Sequence, residues 1–316
     1  MHPVPDIITV TLNPAIDETV FLDQLQPGAV NRATEIHRQA GGKGVNVSAM
    51  LGGYGIPSVA TGFLGTGNPG LFVELFAARG VRDEFIRIDG ETRIGIKIVA
   101  RSTRETTDIN FPGLAPSAAD LVALEEKLRT LASPGSWFVL GGRLPDSVPA
   151  AYYENLLRML KREGANIAVD TSGEALRLAI ECGVDAIKPN HHELAEILGR
   201  ELPDPASRAE AAIRLQREKV PYVILSLGAE GALFVSPDGA FIAAPPPVEV
   251  VSTVGAGDSL LAGYLAGLAT GLPAAERAKL ATVFSWSALE DVRRHAPSPA
   301  EALARMARIE VRPLLE

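Results

Sequence analysis

Near the far end of the 316-residue chain, Val254-Gly255-Ala256-Gly257-Asp258-Ser259 combines small residues, whose backbone N–H groups a ligand can approach closely, with a carboxylate one step further on. The segment opens an apolar run with helix character. Free N–H donors and the positive dipole end favour an anion at such a start. Asp258 then falls in the first turn beside that anion, where a carboxylate can accept a proton from an attacking hydroxyl. The plainer alternative is an Asp favoured by the helix dipole, with Gly255 and Gly257 serving a turn.

Other glycine-bearing segments narrow the choice. Gly41-Gly42-Lys43-Gly44-Val45-Asn46 again enters a helix, with a cation and an amide in reach. It lacks the spacing of a phosphate-binding P-loop and suits a polyhydroxy ligand, with Asn46 meeting hydroxyls and Lys43 meeting charge. Lys188-Pro189-Asn190-His191-His192-Glu193 lies at a strand-to-helix turn, where ligands bind in open α/β sheets. Asn190 and Glu193 are one helical turn apart and can orient Mg²⁺ through water. The adjacent His191 and His192 do not face one another and make a poor ligand pair. Ser226-Leu227-Gly228-Ala229-Glu230-Gly231 is a further glycine turn after a strand, suited to a nucleotide edge. Gly65-Thr66-Gly67-Asn68-Pro69-Gly70 has the spacing of a dinucleotide fingerprint. Pro69 intrudes in that loop, and no clean βαβ unit follows, so a dehydrogenase is the weaker reading.

Alternating elements must carry these segments. Strand patterns at 7–12, 58–64, 137–140, 166–170, 184–187 and 222–227 are interleaved with helical patterns at 43–51, 71–79, 150–163, 207–219, from about 191, from about 257 to 270, and after 273. Leu121, Leu124, Leu128 and Leu131 share a helix face, with Ser117 and Asp120 as a capping-box start. The alternation predicts an α/β fold with a mainly parallel sheet and helices on both faces. Segments 17–36 and 93–111 break it. In the second, Ile94, Ile96, Ile98 and Ala100 share one face, and residues 102–105 make a polar turn. A sheet with one apolar face needs a cover. Both segments are therefore expected to form a small sheet acting as a lid, covered by the ligand site or, in a homodimer through the lid, by a second subunit.

Composition sets the outer limits. Hydrophobic residues make up 47% of the chain and charged ones 22%, enough for a large core, while a net charge of −8 argues against a general nucleic-acid or anionic-membrane surface. Anions must be met by local clusters. The single cysteine, Cys182, excludes an intrachain disulfide and reads as a buried thiol at an apolar helix end. No apolar run is long enough to cross a bilayer, and the first residues lack a signal-peptide pattern, so the expected compartment is the cytoplasm.

Together and in this order the segments resemble the ribokinase-like (PfkB) family of sugar kinases, from about residue 8 to 312. Residues 41–46 are similar to its N-terminal signature and 251–259 to its C-terminal one. Thr11-Leu12-Asn13-Pro14-Ala15-Ile16-Asp17 and Thr107-Asp108-Ile109-Asn110-Phe111-Pro112-Gly113 add support. The resemblance implies a three-layer αβα sandwich with a small β-sheet lid, a single kinase domain over 1–316, ATP with Mg²⁺ as donor, and a phosphorylated ketohexose as acceptor. The expected reaction is phosphorylation of fructose 1-phosphate at its 6-hydroxyl. Tagatose 6-phosphate and fructose 6-phosphate are the alternative acceptors, and a catalytically silent sugar-phosphate-binding regulator is the alternative class. By resemblance Asp258 is the base, and Gly255, Ala256 and Gly257 are the anion hole. Asp17, Gly41, Gly42, Lys43, Asn46 and Asn110 lie on the sugar side, with Arg93 on the phosphate the sugar already carries. Lys188, Asn190, Ser226, Gly228, Gly231 and Thr253 lie on the ATP side, and Asn190 and Glu193 organise Mg²⁺. The chain departs from the family at Gly141-Gly142-Arg143-Leu144-Pro145, where a serine is commonly found and Arg143 is expected to replace its phosphate contact.

Overall fold

The computed structural model describes residues 6–103, 105–293 and 295–314. The first five residues, read above for a signal peptide, and Arg104 of the expected polar turn lie outside them. The larger sheet runs, edge to edge, Glu310–Pro313, Gly239–Ala244, Ala232–Ser236, Tyr222–Ser226, Ala186–Ile187, Asn166–Asp170, Trp137–Gly141, Ile7–Thr11, Val59–Gly65 and Arg82–Asp83. Ile86–Ile88 also pairs with Val59–Gly65. Pairing is parallel from Tyr222–Ser226 to the Arg82–Asp83 edge. It is antiparallel through the last strands at the other edge. Among the described residues no helix is long and apolar enough to cross a membrane.

Strand alternation builds two cores, one on each face. Ile8, Val10, Phe138 and Ile167 point to one face, where they meet Leu124 and Leu128 of the helix Ala118–Leu131 and Leu156 of Ala150–Arg162. Ile7, Val139 and Ala168 point to the other, against Val47 and Leu51 of Lys43–Tyr54, Leu261 and Leu265 of Ala256–Ala269, and Phe284 of Ala274–Glu290. The result is the three-layer αβα arrangement. Ser117 and Asp120 form the expected capping box.

The second sheet runs Glu35–Gly41, Ala15–Leu22, Ile94–Ala100, Glu105–Asn110. Its strands begin two residues before the expected Asp17 and extend past Ile36 to Gly41, because the strand leads without a break into the helix Lys43–Tyr54. The register puts Ile16, Val20, Ile36, Ile94, Ile96, Ile98 and Ile109 on one face, and Asp17, Gln39, Gly95, Lys97 and Asn110 on the other. Ile36 and Ile109 of the apolar face are exposed.

One expectation needs correction. Cys182 is half-buried at the end of the helix Gly173–Glu181, not fully buried, because the next residues turn away as a glycine bend. The glycine fingerprint at 65–70 binds its own chain. Thr66 and Gly67 donate backbone N–H groups to the carbonyls of Ile88 and Gly90, and Asn68 bonds both ways with the Thr92 backbone. That loop latches the segment that leads into Arg93.

Candidate active site

Parallel strands end at one edge of their sheet, so residues that follow them are gathered there whatever their distance in the chain. Asp170 closes Asn166–Asp170, Lys188 follows Ala186–Ile187, and Asn13 follows Ile7–Thr11. The helix Ala256–Ala269 starts at the same edge. Gly255 caps it at φ 77°, a left-handed conformation that suits glycine. Asp258 sits in its first turn and is buried.

Asn46 donates its side-chain N–H to Asp258 Oδ2 at 2.6 Å, so the two glycine-led helices meet at the carboxylate. Lys43, at the start of the same helix as Asn46, reaches Asp170 Oδ1 at 2.7 Å. Lys188 Nζ approaches Asp170 Oδ2 at 3.2 Å. A Cβ placed on Gly257 would lie 3.1 Å from Lys188 Nζ, which puts that ammonium against the helix start. Two cations thus flank one carboxylate, and a second carboxylate stands beside them.

The electrostatics separate the two acids. Burial opposes ionisation of Asp170, but the Lys188 and Lys43 charges outweigh it and hold its carboxyl below the ordinary range. Burial, together with the anionic Asp170, pushes the Asp258 carboxyl above that range, against the Asn46 hydrogen bond and both lysines. Burial also works against the Lys43 ammonium, yet Asp170, with smaller help from Asp258 and Glu193, keeps it above its usual value. Asp170 is held ionised as a counter-ion, and Asp258 is the better proton acceptor of the two.

The polar face of the small sheet forms the second wall. Asp17, Gly95 and Asn110 stand side by side across its strands. Gly41 packs so closely on the Asp17 carboxylate that any side chain there would collide with it. Lys97 Nζ is 3.8 Å from both Asp17 and Asp108. Arg93 donates to Asn13 Oδ1 at 3.0 Å and to Asn110 Oδ1 at 3.2 Å. Burial lowers its guanidinium pKa, Arg143 adds to the effect, and Asp17 opposes it. Arg143 itself bonds Asp146 at 2.7 Å and is largely exposed, so its charge is felt at Arg93 without a contact.

On the remaining side, Asn190 and Glu193 form a reciprocal capping box. Asn190 Oδ1 accepts from the His192 and Glu193 backbones, and Glu193 Oε2 accepts from the Asn190 backbone. The Asn190 oxygen is therefore committed to the cap, whereas Glu193 Oε1 stands outside it. Ser226 pairs with Asn190 through a β-bridge, and Gly228 and Gly231 bound the short turn Gly228–Glu230. Thr253 is exposed, with its carbonyl accepting from the Ala256 backbone. Motif reading passes over Asp170, and it takes Asn13 only as part of a motif, without a role. Asp170 carried a usable signal, a lone carboxylate ending an apolar strand.

The sequence pattern described as "pfkB family carbohydrate kinase" matches residues 10–299. The chain belongs to the pfkB family of carbohydrate kinases. It is 44% identical to a 1-phosphofructokinase of Xanthomonas campestris pv. campestris over 297 residues, covering 92% of this chain and 93% of that one. It is 43% identical to a 1-phosphofructokinase of Rhodobacter capsulatus, covering 96% of each. Among solved structures, phosphofructokinase-2 from Escherichia coli in complex with substrates and products superposes with a TM-score of 0.90 at 28% identity, covering 95% of this chain and 98% of that one. Family membership fits a site with one acid of raised pKa beside a helix start.

Proposed function

We propose that the chain transfers the γ-phosphoryl group of ATP to the 6-hydroxyl of fructose 1-phosphate, giving fructose 1,6-bisphosphate and ADP. The carrying observation is Asp258, buried at a glycine-led helix start, hydrogen-bonded to Asn46 and within reach of the charges of Lys43 and Lys188, which pair with Asp170. The sugar oxygen attacks the γ-phosphorus, the bond to the β-phosphate oxygen breaks, and the hydroxyl proton passes to Asp258. The N–H groups of Gly255, Ala256 and Gly257 and the two ammonium groups meet the charge on the transferring group.

The acceptor lies between the two walls. Asp17, Gly41, Gly42, Asn46 and Asn110 hold its hydroxyls, and Arg93 takes its existing phosphate, with Arg143 swinging from Asp146 to join it. ATP lies along Lys188, Asn190, Ser226, Gly228, Gly231 and Thr253. The donor set suits Mg²⁺, a cation that keeps most of its shell as phosphate oxygen and water and needs only one or two carboxylates. Glu193 Oε1 lies outside the cap, whereas Asp170 Oδ2 already faces the Lys188 ammonium at 3.2 Å. Glu193 would hold the ion through water, and Asn190 would fix Glu193. When bound, the ion neutralises phosphate charge.

We read the chain as one kinase domain that works in the cytoplasm, with the small sheet as its lid. Closure of the lid excludes water and so suppresses ATP hydrolysis. Its apolar outer face is the surface for a homodimer.

A second acceptor has a specific observation behind it. One solved structure that superposes with a TM-score of 0.87 is phosphofructokinase-2 from Escherichia coli in complex with fructose-6-phosphate. A coupled assay for ADP with fructose 1-phosphate, fructose 6-phosphate and tagatose 6-phosphate separates the choices. We expect the highest kcat/KM with fructose 1-phosphate. Preference for either 6-phosphate overturns the choice of sugar, and no turnover with any of them would favour a silent regulator.

A further inference from the structure

Arg93 precedes the strand Ile94–Ala100, and its guanidinium is anchored through two of its donor nitrogens, each time by a neutral amide oxygen. A guanidinium carries five N–H donors in a rigid plane. Bonds from Nε to Asn13 and from Nη1 to Asn110 fix that plane from two sides. Neither hydrogen-bond partner is a carboxylate, and the Asp17 carboxylate acts on the guanidinium only through its charge. An ion-paired arginine would have to give up its partner before binding a phosphate; an amide-held one does not.

Asn13 is itself held. It precedes Pro14, which restricts its backbone to extended conformations. Its side-chain oxygen must face Arg93 Nε, a donor only. The same oxygen occupies the space that a side chain on residue 113 would need, so Gly113 leaves room for it. Asn13 ends the Ile7–Thr11 side of the site, and Gly113 follows the strand Glu105–Asn110 of the small sheet. The contact therefore joins the large sheet to the small one at the guanidinium.

We propose that Asn13 is a positioning residue that aims the Arg93 fork at the phosphate the sugar already carries, and that residue 113 is glycine to admit it. This rests on the reading of Arg93 as a phosphate contact. Asn13 touches no reacting atom. Its neutrality is as important as its reach, since an aspartate of the same shape would pair with the guanidinium and compete with the incoming dianion.

The test compares Asn13→Asp, Asn13→Ala and Arg93→Ala in steady-state kinetics with fructose 1-phosphate and with unphosphorylated fructose, alongside ATP titration and thermal unfolding. Asn13→Asp is expected to raise the KM for the sugar phosphate about tenfold or more, with a smaller change in kcat and no change in the KM for ATP. Asn13→Ala should have a weaker effect in the same direction. Both should lower the preference for phosphorylated over plain sugar. If Asn13→Asp binds the sugar phosphate as well as the parent does, or weakens both sugars equally, the positioning role is wrong. If Arg93→Ala leaves the KM for the sugar phosphate unchanged, the fault lies with the reading of Arg93. A fall in melting temperature without a change in preference marks Asn13 as a packing residue and overturns the proposal.

Discussion

Asn46 and Asp258 are 212 residues apart in the chain and 2.6 Å apart in space, each near the start of a helix that a glycine introduces. The hydrogen bond favours the ionised carboxylate, while burial and Asp170 disfavour it more strongly. The proposed base is thus oriented by Asn46 without being made a poor proton acceptor.

Replacement of Asp258 by Asn should therefore separate activity from stability. We expect kcat to fall by about 10²- to 10⁴-fold, the usual worth of a positioned base. The raised pKa means that the folded protein holds this proton more tightly than the unfolded chain does. Above the folded pKa the ionised carboxylate costs stability, and at neutral pH Asp258→Asn removes that cost. Its melting temperature should equal or exceed that of the parent. Near-parental kcat would exclude Asp258 as the base.

Asp170 has the opposite sign. Its depressed pKa contributes stability above the ordinary carboxylate value of 3.8, which is lost as pH falls below it. Asp170→Asn leaves Lys43 and Lys188 without their counter-ion and should cost about 3 kcal/mol in urea unfolding at neutral pH. It also removes the anion that raises the Asp258 pKa. The acid limb of the kcat profile should move to lower pH. A limb that stays in place would mean that Asp170 does not tune the base.

Glu193→Gln tests the metal apart from the helix cap. Glutamine can serve as the third residue of a capping box, so thermal stability should hold. The Mg²⁺ concentration for half-maximal rate should rise about tenfold. Asn190→Ala, in contrast, should cost about 1 kcal/mol of stability through loss of the cap. An unchanged Mg²⁺ requirement in Glu193→Gln would remove Glu193 from the metal site.

The small sheet predicts a dimer. Ile36 and Ile109 are exposed on its apolar face. The double replacement Ile36→Glu and Ile109→Glu should convert a dimer into a monomer in sedimentation velocity. A parent that sediments as a monomer at micromolar concentration would end that proposal.

The alternation of strand and helix, and the glycine segments at 41–46 and 254–259, were legible because backbone geometry demands particular residues there. Gly255 must take a left-handed conformation, and Gly41 must clear Asp17. Asp170 escaped notice because one carboxylate at a strand end has no local pattern; its meaning comes from Lys43 and Lys188, which only the parallel sheet brings to it. Asn13 was visible within a motif, but its role depends on Arg93, 80 residues away. The edge strand Glu310–Pro313 has mostly exposed side chains and a proline, so neither periodicity nor composition marks it. The strand Ala232–Ser236 went unread although Ala232-Leu233-Phe234-Val235 is an apolar run, because four apolar residues closed by a serine and the turn Pro237-Asp238 are too short to show a period.

The small sheet has a further consequence for what the chain can tolerate in length. Because neighbouring residues of Ala15–Leu22 point to opposite faces, Asp17 and Ile16 exchange sides if one residue is inserted before them in the paired strand. Such an insertion would turn a carboxylate toward the outer surface and an isoleucine into the polar cleft at a single stroke. An insertion of two residues would restore the sidedness of every later position. Length variants of this strand should therefore survive by parity, with even insertions tolerated far better than odd ones.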